Sequence, residues 1–244
     1  MGCRMWVVGC GLCLAAWPLP AQRGKQQTAR DLFHSEAGLI VSREGSNRGR
    51  FAAAKKGVVA VTLGLKYRIW KLVDEKPVDW DLTQPLASGD QIRLGVEIND
   101  TGYLYIVHRQ PSGQWRRLFP TSEIEGGNHF VRSGVTYMIP PDDGVVLPFA
   151  WGPEKIWMVL AREPVKELEV LVGPRTPENT VSAAPPPEIA ESILERVRSL
   201  LNQKDLVSER VAAEKAVYVV NRTGQPDSLV LAEVQVRSEA GRSR

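Results

Sequence analysis

From Val58 onward the chain is written in short apolar runs separated by Gly, Pro, Asp and Asn: "VVAVTLGLKYRIWKLV", "DQIRLGVEI", "YLYIVHR", "QWRRLF", "VTYMIP", "VVLPFAW" and "KIWMVLARE". Runs of this length, rich in β-branched and aromatic residues and bounded by turn formers, predict an antiparallel β-sandwich of about seven or more strands, with a barrel as the other closure. The period then changes. "PVKELEVLV" repeats Val165, Leu168 and Leu171 at three, and "PEIAESILERVRSLLNQ" places Ile189, Ile193, Val197, Leu200 and Leu201 on one stripe, the pattern of a C-terminal amphipathic helix. "GPRTPENTVSAAPPP" between them reads as a proline-rich linker. "KAVYVVN" and "SLVLAEVQV", joined by "RTGQPD", predict a terminal β-hairpin.

The segment before Val58 has a different texture. "MGCRM" gives a short positive start, "WVVGCGLCLAAW" an apolar stretch, and "PLPAQ" a helix-breaking end with small Ala21, which together predict a secretory signal peptide. The apolar stretch is too short to cross a bilayer as a helix, which takes about 20 residues. "VVGC" ending at Cys10 is a loose lipoprotein-like box, but too few residues separate it from Arg4 to form a working apolar core. Residues 22–57 are polar, basic and glycine-punctuated, with one apolar cluster at Leu32, Phe33, Leu39 and Ile40, and read as a linker with a possible short helix. The expected organisation is therefore signal peptide 1–21, basic linker 22–57, sandwich 58–172, proline-rich linker 173–187, and helix with hairpin 188–244.

Composition narrows the chemistry. The 31 basic and 28 acidic residues give a formal charge of +3 and are spread along the chain rather than gathered in a stripe, so a nucleic-acid partner is not expected. All three cysteines, Cys3, Cys10 and Cys13, fall in the signal, so an exported product cut after Ala21 has neither disulfides nor thiolate metal ligands.

The stretch "NDTGYLYIVHRQPSGQWRRLFP" contains two turn formers, with Gly102 and Gly113 suited to positive φ, and so predicts a meander of three strands. Pairing across the first turn sets Ile98 beside Tyr103, Val96 beside Tyr105 and Leu94 beside Val107 on the face expected to be core. The other face then carries Leu104, Ile106, His108, Trp115, Arg117 and Phe119, half apolar and half polar, which marks it as a ligand or partner surface to be shared with the C-terminal helix.

The same residues carry a family resemblance. Ser88-Gly89-Asp90 entering a strand, Gly102-Tyr103-Leu104-Tyr105, Leu118-Phe119-Pro120, Gly134, Ile139-Pro140 and Gly152-Pro153-Glu154-Lys155-Ile156 together resemble the bacterial domain of unknown function family 4384, over roughly 63–172. The resemblance implies a β-rich accessory module of an exported or multidomain bacterial protein. It brings no catalytic residues.

Candidate chemistry is sparse. Asp79, Asp81 and Asp90 suggest a calcium site, but the spacing of a complete calcium loop is missing, and capping of turns is the simpler reading. His108 as a general base has no serine or cysteine in an elbow motif to activate. Asp142-Asp143-Gly144 reads as a turn, since neighbouring residues on an extended chain point to opposite faces. The loop "EIEGGNHF", with Glu123, Glu125, Asn128 and His129, offers acids and exposed backbone to a ligand. Trp70, Trp80, Trp115, Trp151 and Trp157 offer rings for sugar stacking, with core packing as the plainer role. No metal and no cofactor is expected.

The expected protein is an exported, periplasmic or extracellular, non-enzymatic module of the bacterial envelope that binds an unidentified protein partner. A cell-wall glycan binder and a hydrolase using the acidic loop are the alternatives. The exported product is expected to begin at Gln22, which its intact mass checks directly; retention of residues 1–21 or a lipid mass on Cys10 would overturn the soluble reading.

Overall fold

The computed structural model describes residues 27–35, 62–86, 89–141, 147–148, 154–172, 187–201 and 203–236. They form two antiparallel sheets packed face to face. The elements in chain order are α1 (Ala29–His34), β1 (Leu63–Val73), β2 (Lys76–Asp79), β3 (Gln91–Ile98), β4 (Gly102–Arg109), β5 (Trp115–Phe119), β6 (Phe130–Val131), β7 (Thr136–Ile139), β8 (Leu147–Pro148), β9 (Glu154–Ala161), α2 (Lys166–Val172), α3 (Pro187–Leu200), β10 (Leu206–Val211), β11 (Ala216–Asn221) and β12 (Leu229–Val236). The seven-stranded sheet runs β10-β11-β1-β3-β7, with β2 paired to β1 and β8 to β3. The five-stranded sheet runs β12-β9-β4-β5, with β6 paired to β4.

Alternation along β1 and β3 puts Leu65, Ile69, Leu94, Val96 and Ile98 between the sheets, where they meet Leu104, Ile106, Phe119, Ile156, Met158 and Leu160 of the second sheet. Each of these large side chains, taken fully out of water, contributes roughly 1.5–3 kcal/mol. β4 and β9 are buried on both faces: Tyr105, Val107, Trp115, Trp157 and Val159 on the far side are covered by Leu168 of α2 and by Ile193, Leu194 and Val197 of α3. On the outer face of the first sheet, Leu32 and Phe33 of α1 pack against Ala216, Tyr218 and Val220. That short helix is fixed by a capping box in which the Thr28 hydroxyl accepts from the Asp31 N–H and Asp31 reaches back to the Thr28 N–H.

Five expectations are corrected by the structure. The "NDTG" turn does not close a hairpin, because β3 lies in one sheet and β4 in the other. Its side chains brace that crossing: Asn99 Oδ1 accepts from the Gly64 N–H at 2.6 Å, Asn99 Nδ2 donates to the Thr62 carbonyl at 3.0 Å, and Asp100 pairs with Arg162 after β9. Tyr105 and Val107 therefore face the helices, whereas Leu104 and Ile106 enter the core, the reverse of the faces expected. In β5 a bulge intervenes, since Ile106 pairs with Phe119 but Val107 with Arg117. The extra residue sends Trp115 and Phe119 to opposite faces, where strict alternation had put them together.

The helix stripe is also rotated, with Ile193, Leu194 and Val197 buried and Leu200 61% exposed. Finally, β11 and β12 are not partners; β11 pairs with β10 and β1, and β12 with β9. Residues 206–236, read from the sequence as part of a helix and hairpin extension, supply strands to both sheets. Leu39, Ile40, Asp142, Asp143, Trp151 and the linker 173–186 lie outside the described residues.

The closest approach in the second sheet is at Gly102, where an added Cβ would stand 2.5 Å from the Ala161 carbonyl oxygen. The tightest contact is with the Ala161 main chain, which cannot swing aside as the end of the Leu160 side chain can. Gly102→Ala is expected to destabilise the protein by about 1–3 kcal/mol, read as a lower urea midpoint at unchanged slope; an unchanged midpoint would show that β4 and β9 can part at that rung.

Candidate functional site

The residues chosen from the sequence do not assemble into one surface. Leu104, Ile106 and Phe119 are wholly inside the core between the sheets. Trp115 is buried under α3, edge-on to Trp157 with ring centroids 5.8 Å apart. Arg117 is half-buried, and burial pushes its guanidinium below the ordinary range. His108, on the inner face of β4, places Nε2 2.6 Å from Glu154 Oε2, with both side chains almost fully enclosed. Asn128 makes a local turn in which its Oδ1 accepts from the Phe130 N–H at 3.0 Å. A partner cannot reach a face that two sheets have already closed.

The loop from Glu123 to Phe130 has a structural occupation as well. Gly126 and Gly127 take φ of 64° and 84°, which turns the chain so that His129 points inward. The His129 ring sits 5.2 Å from that of Tyr103 and 5.0 Å from that of Tyr105. Its Nε2 lies 2.7 Å from Glu169 Oε1, the oxygen that also accepts the Tyr105 hydroxyl at 2.6 Å. That hydroxyl in turn accepts from the Val165 N–H at 3.1 Å. Burial, then the bond to Glu169, pushes the Tyr105 hydroxyl well above the ordinary tyrosine range. The cluster clamps loop, strand and α2 together.

The three aspartates of the suggested calcium site also part company. Asp79 pairs with Arg68, Asp90 with Lys71, and Asp81 caps a turn by accepting from the Thr83 N–H at 2.9 Å. Among the described residues no group of three His, Cys, Asp or Glu side chains could hold a metal ion.

A cleft of about 830 Å³ opens along one side of the sandwich. Its floor is Tyr67 and Ile69 of β1 with Leu86, one wall is the turn bearing Trp80, and the other sides are Arg210 of β10 and residues 233–235 of β12. Burial pushes the Tyr67 hydroxyl up to about 12, against the pull of Arg210. Trp80 donates Nε1–H to the Gln84 carbonyl at 3.3 Å and lies under Lys71 Nζ, 4.7 Å from the ring centroid, so its wall is held in place. Sequence reasoning named Trp80 but missed the site, because the site needs β10 and β12 brought beside β1 from the far end of the chain.

Fold and cleft together define a two-layer antiparallel β-sandwich with helices on the outer faces and an open side. Residues 86–164 match the family model described as domain of unknown function (DUF4384), which bears out the resemblance seen in the sequence over a shorter span. The search of curated proteins and the search of solved structures gave no match.

Glu233, at the cleft, pairs with Lys155 of β9 at 3.1 Å and joins β12 to the helix layer through Arg198 of α3, whose guanidinium also lies 4.2 Å from the Trp157 ring centroid. Burial would raise the Glu233 carboxyl, but the bond and charge of Lys155, with Arg198, more than offset this and hold it below the ordinary value. A depressed folded pKa contributes stability above the unfolded value and loses it as pH falls. Glu233→Gln is accordingly expected to lower the urea midpoint near pH 7 and to shrink that difference toward about pH 3; a difference constant across the range would place the cost in packing rather than charge.

Proposed function

We propose that the protein is a non-enzymatic interaction module of the exported, envelope-associated kind, and that it binds a protein partner in the cleft between β1, β10 and β12. The observation that supports this reading is the division of labour among its polar groups. The acid–base pairs that resemble catalytic machinery are occupied in joining elements: His108 and Glu154 are both enclosed, and His129 is buried against a partly exposed Glu169 that also holds Tyr105. The cleft combines apolar floor residues with Thr83, Gln84, Arg210 and Gln235 at its rim, and the carboxylate that lines it, Glu233, is held by Lys155 and Arg198, a mixture of apolar and polar groups expected of a binding site. Export rests on the signal-like N-terminus, and membership of the envelope on the family resemblance.

A carbohydrate reading has one specific support, the indole of Trp80 beside the Tyr67 phenol in the cleft wall and floor. The two readings separate cleanly. A photo-crosslinking residue placed at Gln84 of the exported protein is expected to give a protein adduct in the native envelope, and the same residue at Thr136, on the far face, to give none. Quenching of tryptophan emission by soluble cell-wall glycan, abolished by Trp80→Ala and without a protein adduct at Gln84, would overturn the protein-partner reading.

A further inference from the structure

The cleft meets β12 along its edge rather than on a face. Glu233, Val234 and Gln235 are consecutive, so their side chains alternate between the two sides of the sheet, and yet all three line the cleft. Val234 points into the core. Glu233 points to the outer face, where Lys155 and Arg198 hold it. A cavity bounded by such neighbours borders the backbone between them. β9 occupies one flank of β12, and among the described residues no strand occupies the other.

The opposite sheet extends farther on that side. β12 packs over β11 and β1, while β10 lies one strand beyond. Ser208 and Arg210 pair with Val219 and Val217, whose side chains belong to the core, so they too point toward the second sheet. Nevertheless both are exposed. Interior-facing positions of a strand stay wet only where the facing sheet has stopped. Among the described residues the narrower sheet is thus one strand short over β10.

We propose that an extended peptide bearing an acidic side chain adds to the free edge of β12 and lies over β10, completing the second sheet. This deepens the interaction reading above and rests on it. Main-chain hydrogen bonds to β12 supply attraction that tolerates many sequences, and side chains at alternate positions supply choice. Inward-facing apolar groups meet Tyr67, Ile69 and Leu86. The acid is selected by charge: of the two charged side chains lining the cleft, Glu233 is held by Lys155 and Arg198, and Arg210, exposed and facing the second sheet, is the cation an incoming strand meets.

The probe is the peptide acetyl-Val-Thr-Glu-Thr-Val-Thr-amide, whose valines and glutamate share the inward face, titrated into the full exported chain, with two controls: the same peptide N-methylated at alternate amides, and the peptide with Lys in place of Glu. Methylation removes the donors of one edge and leaves the side chains. The unmodified peptide is expected to bind at least about tenfold more tightly than either control, to slow amide exchange at residues 232–236, and to leave β7 unchanged. In Arg210→Glu, an exposed position, the preference between the Glu and Lys peptides is expected to reverse. Equal binding of plain and methylated peptides, no binding of any probe, or no slowing in β12 would overturn strand addition. So would a concentration-dependent dimer that protects β12 without peptide, since a second copy would then be the natural occupant. If strand addition fails while Gln84 still yields a protein adduct, the interaction reading stands; if Gln84 yields none, that reading falls independently.

Discussion

A strand buried on both faces needs two covers, and β4 and β9 impose that requirement on this molecule. Their inner residues, Leu104, Ile106, Ile156, Met158 and Leu160, are covered by the first sheet. Their outer residues, Tyr105, Val107, Trp157 and Val159, would be left wet by a simple sandwich, and α2 and α3 exist to close them. Placing α3 there has a consequence for the rest of the chain. β10, β11 and β12 follow the helix, and from it they return to opposite sheets, β11 beside β1 and β12 beside β9. The two sheets are knit together by the end of the chain as much as by the middle.

Polar groups inside this arrangement act as fasteners between layers that apolar packing orients only loosely. His108 and Glu154 join neighbouring strands within the sheet, at the inner face. Glu169 collects His129 and Tyr105 onto α2, and Arg198 brings α3 to Glu233 on the edge strand. A buried ion pair is weak evidence of net stabilisation, because desolvation offsets much of the attraction, but removing one partner leaves a buried charge and is costly. Such pairs therefore fix which elements meet more than how tightly they hold.

Much of the sandwich was legible because period-two alternation and turn formers are local. Strand positions for β1, β3, β4, β5, β7 and β9 follow from it. Pairing was not legible, because a turn such as "NDTG" fits both a hairpin and a crossing between sheets. One local signal did distinguish them: "YLYIVH" and "KIWMVLA" are continuous apolar runs, and such runs belong to strands covered on both sides. Reading them as one-sided strands put Tyr105 and Leu104 on exchanged faces. The bulge beside Phe119 left no mark in the sequence, and it alone separates Trp115 from Phe119. The cleft escaped notice because Tyr67, Arg210 and Gln235 are distant in sequence and become neighbours only through sheet order.

The span matched by the family model runs from residue 86 to residue 164, from just before β3 to just after β9. By itself that span has neither β1, which joins β3 to β11, nor β12, which covers β9. The strands that finish both sheets thus come from the flanks. The cleft belongs to those flanks almost entirely: Tyr67, Ile69, Trp80, Arg210 and residues 233–235 lie outside the matched span, and Leu86 stands at its first position. A fold hosts many functions through sites grafted on it. Here the matched span supplies the double-covered centre, and the specificity we propose for the cleft is set by residues the family pattern does not contain. Two chains sharing this centre but differing in β1, β10 and β12 would then share a scaffold without sharing a partner.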